Sequence, residues 1–511
     1  MRYRHLGVIA LLAALAFLSP LSAEKENPPR PLDALALEQT VMEAIARAEP
    51  SIACILVSRS DQYPDFEKPS ADDREHGKLG THTRNAIQEP PRRFNLRQET
   101  PVDPLDLGDP NVVPEAYGSG VVVDASGLIL TNYHVVRDAT KVFVRLPSGK
   151  GSYADIHAAD SRSDLAVLRL IDKLPDLKPL KHGDASKLRK GQFILSLANP
   201  FAAGFRDGSP SASWGIISNI RRRPPGSPNE TERNKNLHSY GTLLQLDARL
   251  NLGCSGGAVL DLKGELIGLT TAQAALSGVE TPGGFAVPMD AGMWRIVEQL
   301  KKGEEVEYGF LGVQPDAVAG NRADGVAIGN VVSGSPADEA SPRRLQSHDI
   351  ILSVDGVRVL ENEDLFVTIG TQLAGRTVEL EVKGRPGQLP DKLTVKLAKF
   401  RSNAKYIASK EPPALGGLRV DYTSLLAQPG LDPRFARPIP VGVIVREVVP
   451  GSPADKAQLQ PDKLITHVND QRVTSPTEFY LCMENARKNG KSVELSVQHS
   501  DRRETIKLDL P

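Results

Sequence analysis

Cysteine is scarce: three residues, Cys54, Cys254 and Cys482, in a chain of 511. So few thiols exclude a disulfide scaffold, and an odd count leaves at least one free or paired between chains. Three unpaired thiols, two of them in a core, are expected. An excess of either charge is also missing. Sixty-two basic residues stand against 63 acidic ones, a formal net charge of −1. That balance offers no electrostatic footprint for nucleic acid or an anionic membrane. No His/Cys/Glu cluster has metal-ligand spacing, so no metal is expected. Long apolar runs are absent with one exception. Leu6 to Leu18 follows Arg2, Arg4 and His5 and ends before Pro20 and Leu21-Ser22-Ala23. This is the pattern of a signal peptide over residues 1–23, with the mature chain starting near Glu24. The run is short for a spanning helix, which needs about 20 apolar residues. Losing Arg2 and Arg4 with it leaves a charge of about −3. Export from the cytoplasm is expected.

What is present is ordinary for folded protein: 40% hydrophobic and 24% charged residues. The length predicts about two to four domains. Leu37, Val41, Ala44 and Ile45 mark one face of a helix, and Ser51 to Val57 reads as a strand. Asp61 to Pro114 is polar, carries eight prolines and holds no period, so it reads as a long surface loop or partly disordered insertion. From Gly118 the texture changes to short strands with turn punctuation: a hairpin at 121–130, then 141–146, 165–170, 193–198, 214–220, 243–246 and 258–270. Many short strands at regular spacing predict barrels or a sandwich. Arg221 to Tyr240 reads as a second polar insertion whose Arg221-Arg222-Arg223 run is a solvated surface in preference to a site for an acidic partner. Pro288 to Leu300 predicts a closing helix.

The C-terminal part repeats itself. Gly325-Val326 leads to VVSGSPAD at 331–338, and Gly442-Val443 leads to VVPGSPAD at 448–455. Each copy continues into a strand and turn (Ile350 to Gly356; Leu464 to Asp470), a helix candidate and a further strand. Two related modules follow, over 306–400 and 411–511, with Arg401 to Pro413 as their linker.

Three short motifs carry chemistry in one order: TNYHVV at 131–136, SDLAVL at 163–168 and GCSGGAV at 253–259. A lone buried histidine usually satisfies a core hydrogen bond, and a lone Ser-Asp is usually a turn. Together they supply what amide hydrolysis needs. Ser255 is a nucleophile that requires a base. His134 can take its proton and return it to the leaving amine. A carboxylate at Asp164 would fix the imidazole tautomer. The glycines around Ser255 permit a sharp turn that aims the amides of Gly253 and Ser255 at a developing oxyanion. The order His, Asp, Ser is that of chymotrypsin-like folds.

These stretches, with their flanks at 118–136, 244–271 and 284–288, resemble the HtrA (Deg) family of serine proteases. The resemblance runs from Gly118 to the C-terminus. It implies an all-β, chymotrypsin-like double β-barrel over 24–305, followed by two α+β PDZ-like domains. It implies peptide-bond hydrolysis, with no metal or cofactor, in unfolded or misfolded exported proteins, in the periplasm or another extracytoplasmic space. It also implies a homotrimer or larger homo-oligomer. In the PDZ-like modules a glycine-bearing loop, Gly309-Phe310-Leu311-Gly312 in the first, would present amides to a peptide's terminal carboxylate. The chain departs from the family in carrying Cys254 where Asn is usual, and in the length of its two insertions. The competing reading is a catalytically weak chaperone or scaffold that holds unfolded chains through the PDZ-like modules.

Overall fold

The structure is a computed structural model. It describes residues 34–60, 106–112, 114–147, 149–223, 236–271, 284–316, 324–384, 389–427, 438–490, 492–498 and 502–509. The signal segment assigned to 1–23 and the 61–105 part of the first insertion lie outside the described residues.

Six strands build the first barrel: β1 (Ile52–Ser58), β2 (Ala116–Asp124), β3 (Leu128–Asn132), β4 (Lys141–Arg145), β5 (Gly151–Asp160) and β6 (Leu165–Leu170). They run in the order β5-β4-β1-β2-β3-β6, and pairing of β5 with β6 closes the ring. The β2–β3 hairpin forms because Asp124 accepts the Ser126 amide on its side chain (2.8 Å) and the Gly127 amide on its carbonyl, an Asx-type turn. Alternate strand residues point inward, so Ile55, Val122, Ile129, Val144 and Leu168 meet in one fully buried core.

The second barrel comprises β7 (Phe193–Ala198), β8 (Ser211–Arg222), β9 (Leu243–Leu246), β10 (Ala258–Leu260), β11 (Leu266–Thr271) and β12 (Gly284–Pro288), closed in the order β10-β11-β12-β9-β8-β7. Ile194, Ile217, Leu246 and Val259 fill it. This is the chymotrypsin-like arrangement that the sequence predicts. The closing helix is Ala291–Lys302. It starts later than Pro288 because the Asp290 side chain caps the amides of Gly292 and Met293, and it stops at Gly303 in the left-handed region.

The repeat becomes two sheets of the same order. One is built from Val313–Pro315, Val326–Val331, Ile350–Val354, Thr377–Lys383 and Asp391–Lys396. The other is built from Leu418–Tyr422, Val443–Val448, Leu464–Val468, Ser492–Gln498 and Arg503–Asp509. Each covers a helix, Asn362–Gly370 or Pro476–Asn489, and has its own buried core.

Two expectations are corrected. The end of the first insertion packs: Leu107 is fully buried beside Cys54, Leu56 and Phe143, and Gly108 accepts from Arg145 Nη2 at 2.8 Å. One large apolar side chain in a polar stretch is enough to anchor it. The arginine run of the second insertion is not merely solvated. Arg221 and Arg222 extend β8, Arg221 pairs with Asp364, and Arg223 lies 3.0 Å from Glu363, both acids on the helix of the first C-terminal module. The inter-module linker also packs. Tyr406–Ala408 is a strand that pairs antiparallel with Ala158–Asp160 of β5. The part of β5 that β4 leaves unpaired has a bare edge, and the linker covers it.

Candidate active site

His134 lies in a one-turn helix, Tyr133–Val136, at the end of β3. Its Nδ1 stands 2.8 Å and 3.0 Å from the two carboxylate oxygens of Asp164, and its backbone amide donates to Oδ1 at 3.0 Å. A carboxylate can only accept, so Nδ1 carries the hydrogen and Nε2 is left as the basic nitrogen. Asp164 holds a left-handed backbone, φ +55, which Asp tolerates better than most residues. Its carbonyl accepts from the Tyr133 amide (3.0 Å) and from Asn132 Nδ2 (3.1 Å). Those bonds tie the Asp164 turn to the His134 turn independently of the His134 and Asp164 side chains.

Ser255 lies between two glycines of the turn before β10 and is buried. β2 carries the turn toward His134. Ser119 donates its amide to Ser255 O at 2.8 Å and its hydroxyl to Gly253 O at 2.7 Å. A side chain at Gly118 would begin 2.5 Å from Val135 Cγ1 and 3.3 Å from Ser255 O. Only a glycine lets the histidine-bearing and serine-bearing turns flank that position so closely. Gly256 has φ +85, and a Cβ there would enter the Ser119 carbonyl and Thr131 Oγ1. The three motifs therefore converge on one place.

The Leu252–Gly253 peptide is oriented from outside the motif. Leu252 O accepts from the Phe201 amide at 2.7 Å. In a trans peptide the N–H points opposite its carbonyl, so the Gly253 amide faces away from Phe201. Cys254 is buried; its Sγ lies 3.4 Å from the Asn251 amide, and burial raises its thiol pKa. All three cysteines are free and buried, and burial pushes Cys54 up to about 12.

Two participants escape a reading of motifs. Asn199-Pro200-Phe201 supplies the amide that orients Leu252, and Asn199 Nδ2 reaches Ala53 O at 3.0 Å. His238, inside the stretch read as a polar insertion, is fully buried. Its Nε2 is 2.9 Å from Ser163 O and its Nδ1 2.8 Å from Thr242 Oγ1. A neutral ring satisfies both contacts, and burial lowers its pKa. The motif that holds Asp164 thus rests on a second imidazole that carries no sequence signature.

In the first C-terminal module, Gly309 pairs with Lys399 and donates its amide to Gln372 O at 2.8 Å. Leu311 is buried in the module's core, and its carbonyl accepts from Ala337. Gly312 has φ +87 and packs against Ser335. Among the described residues no group of three or more His, Cys, Asp or Glu is arranged to hold a metal ion.

Comparison with known proteins agrees with this architecture. The family profile of the trypsin-like peptidase domain matches residues 118–269, and that of the PDZ domain matches 309–397 and 413–510. A probable periplasmic serine endoprotease DegP-like from Ectopseudomonas mendocina is 31% identical over 430 residues, 81% of this chain and 84% of that one. The periplasmic pH-dependent serine endoprotease DegQ of Escherichia coli is 32% identical over 386 residues, 73% of this chain and 77% of its own length. Among solved structures, the HtrA-type protease AlgW with a tripeptide is 24% identical with a TM-score of 0.45, covering 73% of this chain and 98% of that chain. Identity of 31% over four fifths of the chain is the decisive likeness, and the chain belongs to the HtrA family of DegP-like periplasmic serine endoproteases, with a trypsin-like peptidase domain followed by two PDZ domains.

Proposed function

We propose that His134, Asp164 and Ser255 form the catalytic triad, and that the substrates are unfolded or misfolded exported proteins. The observation that supports this most directly is the two-oxygen contact of Asp164 with His134 Nδ1. It leaves Nε2 as the base, on the side of the ring remote from the carboxylate. Nε2 takes the Ser255 hydroxyl proton as Oγ attacks the scissile carbonyl carbon. The carbonyl oxygen becomes an oxyanion, received by the amides of Gly253 and Ser255. His134 then gives the proton to the leaving amine, and water resolves the acyl-enzyme by the same steps. Asp164 stays ionised throughout and stabilises the imidazolium.

The PDZ domains bind substrate C-termini in this reading, with the amides of the Phe310-Leu311-Gly312 loop receiving the terminal carboxylate and the peptide adding a strand. Gly309 shapes the loop, because its own amide is committed to Gln372. The assembly is a homotrimer or larger homo-oligomer.

The test is cleavage of β-casein by the full chain, with Ser255→Ala beside it. Loss of cleavage with retained casein binding supports both the triad and the substrate class. Cleavage by the alanine variant at the wild-type rate would remove Ser255 from the mechanism. Binding without cleavage by the wild type would favour a holdase.

A further inference from the structure

We propose that Tyr308, at the entry to the first PDZ domain, is a positioning residue for the triad carboxylate. The inference rests on the reading of Asp164 as the triad acid. Asp164 ends a turn, Ser161 to Asp164, between β5 and β6. Asp160 closes that turn. Its Oδ2 accepts from the Ser163 amide (2.7 Å) and from the Ser163 hydroxyl (2.6 Å). The third donor to the same oxygen is the hydroxyl of Tyr308. Asp160 and Tyr308 are both buried, and all three groups on Oδ2 are donors. These donors favour the ionised carboxylate, while burial outweighs them and pushes the Asp160 carboxyl upward.

The contact is reinforced from both ends of the PDZ domain. The Arg162 guanidinium, within the turn, lies 4.7 Å over the Tyr308 ring and 4.3 Å over the ring of Phe400, where the domain ends. The Phe400 amide donates to Tyr308 O at 2.7 Å. The turn so gripped contains Ser163, whose carbonyl is held by His238, and Asp164, whose backbone is left-handed. A non-glycine residue in that region persists where the surroundings over-determine it. Within the peptidase domain, Asn132, Tyr133 and His238 supply part of that constraint. From the PDZ side, Tyr308 supplies the direct hydrogen bond to Asp160 and Phe400 the second ring over Arg162.

The consequence is specific. Removing the Tyr308 hydroxyl leaves Asp160 one donor short in a buried place. The turn relaxes, Asp164 loses its fixed bearing on His134, and the imidazolium that forms in the reaction is less stabilised. The loss falls on kcat, because nothing that binds substrate has changed.

The experiment compares full-length wild type, Tyr308→Phe, Asp160→Asn and the double variant on a short fluorogenic peptide cleaved by the wild type. Tyr308→Phe is expected to lower kcat roughly five- to tenfold with KM unchanged. The acid limb of its kcat/KM profile moves to lower pH, since a drifting carboxylate favours imidazolium less; His238, the other imidazole of the turn, is identical in all variants. The double variant loses no more than Asp160→Asn alone, as coupled residues should. Near-UV circular dichroism and melting temperature establish that Tyr308→Phe is folded. A folded Tyr308→Phe with wild-type kcat and an unmoved acid limb overturns the proposal. So does a loss confined to KM. A wild type whose peptide cleavage survives Ser255→Ala sinks the triad reading itself, a separate outcome.

Discussion

Ser409 Oγ stands 2.7 Å from Nδ1 of His157, joining residues 252 positions apart. Nε2 of the same ring lies 2.8 Å from Arg169 Nη2 and 3.1 Å from Lys301 O, so the ring is held on both edges. The Ser409 amide also donates to His157 O at 3.0 Å. Together they clamp the end of the linker strand to β5.

That clamp makes the linker part of the peptidase domain. A chain truncated after residue 400 loses Tyr406–Ala408 from β5, whereas one truncated after residue 410 keeps it. The shorter chain is expected to melt roughly 5 °C below the longer one, and to lose protection of the 158–160 amides in hydrogen exchange. Equal melting temperatures and equal protection would show that the strand adds nothing to the barrel.

Acidification is expected to weaken the fold around the site. Burial lowers the pKa of His157, His182 and His238, in the first case helped by Arg169. A group whose folded pKa lies below its unfolded value of about 6.5 contributes stability above that value. The contribution is lost as pH falls below about 6.5 and toward the folded value, because the unfolded chain takes up the proton first. The melting temperature should therefore drop between pH 7.5 and 5. His238→Gln should show a shallower drop, with a lower starting point. A slope unchanged by that substitution would remove His238 from the effect.

Lys399 is the ion at the junction of the linker and both PDZ domains. Its ammonium is buried and lies 2.9 Å from each of Glu305, Glu307 and Asp421. Burial opposes its charge, but the three carboxylates outweigh burial and raise its pKa. Replacing one member of such a buried cluster leaves the others uncompensated, at a cost of about 3–5 kcal/mol. Lys399→Met should destabilise by about that amount in urea unfolding, and a second change, Asp421→Asn, should restore part of it. Additive losses in the double variant would mean that the charges are not coupled.

Cys254 is expected to be chemically quiet. Its thiol is buried and its pKa raised, so it lacks the thiolate character that oxidation needs. In the proposed mechanism backbone amides, not its side chain, face the oxyanion. Cys254→Asn should change kcat by less than about tenfold, below the 10²–10³ typical of losing a donor. Mild peroxide should leave wild type and variant alike. Reversible inactivation of the wild type alone would assign the thiol a regulatory role.

The sequence by itself determined a fold of many short strands, the tandem modules and the three motifs. Each of these is written in local terms: alternation along strands, Gly and Asp at turns, an eight-residue repeat, and reactive residues with characteristic neighbours. It also carried the hairpin at Asp124–Gly127 and the closing helix, whose cap, Asp290, stands at the start of its own element. Tertiary structure alone decided what those elements touch. His238 and Tyr308 support the Asp164 turn from 74 and 144 residues downstream, where no local pattern distinguishes them from a loop histidine and a linker tyrosine. Arg221 and Arg223 looked solvated because the acids that receive them, Asp364 and Glu363, belong to another domain. Tyr406–Ala408 is too short to announce itself as a strand and becomes one only against the open edge of β5. Local periodicity encodes which surface of an element is apolar. Which partner covers that surface depends on chain closure over long distances, and that is settled only when the domains pack.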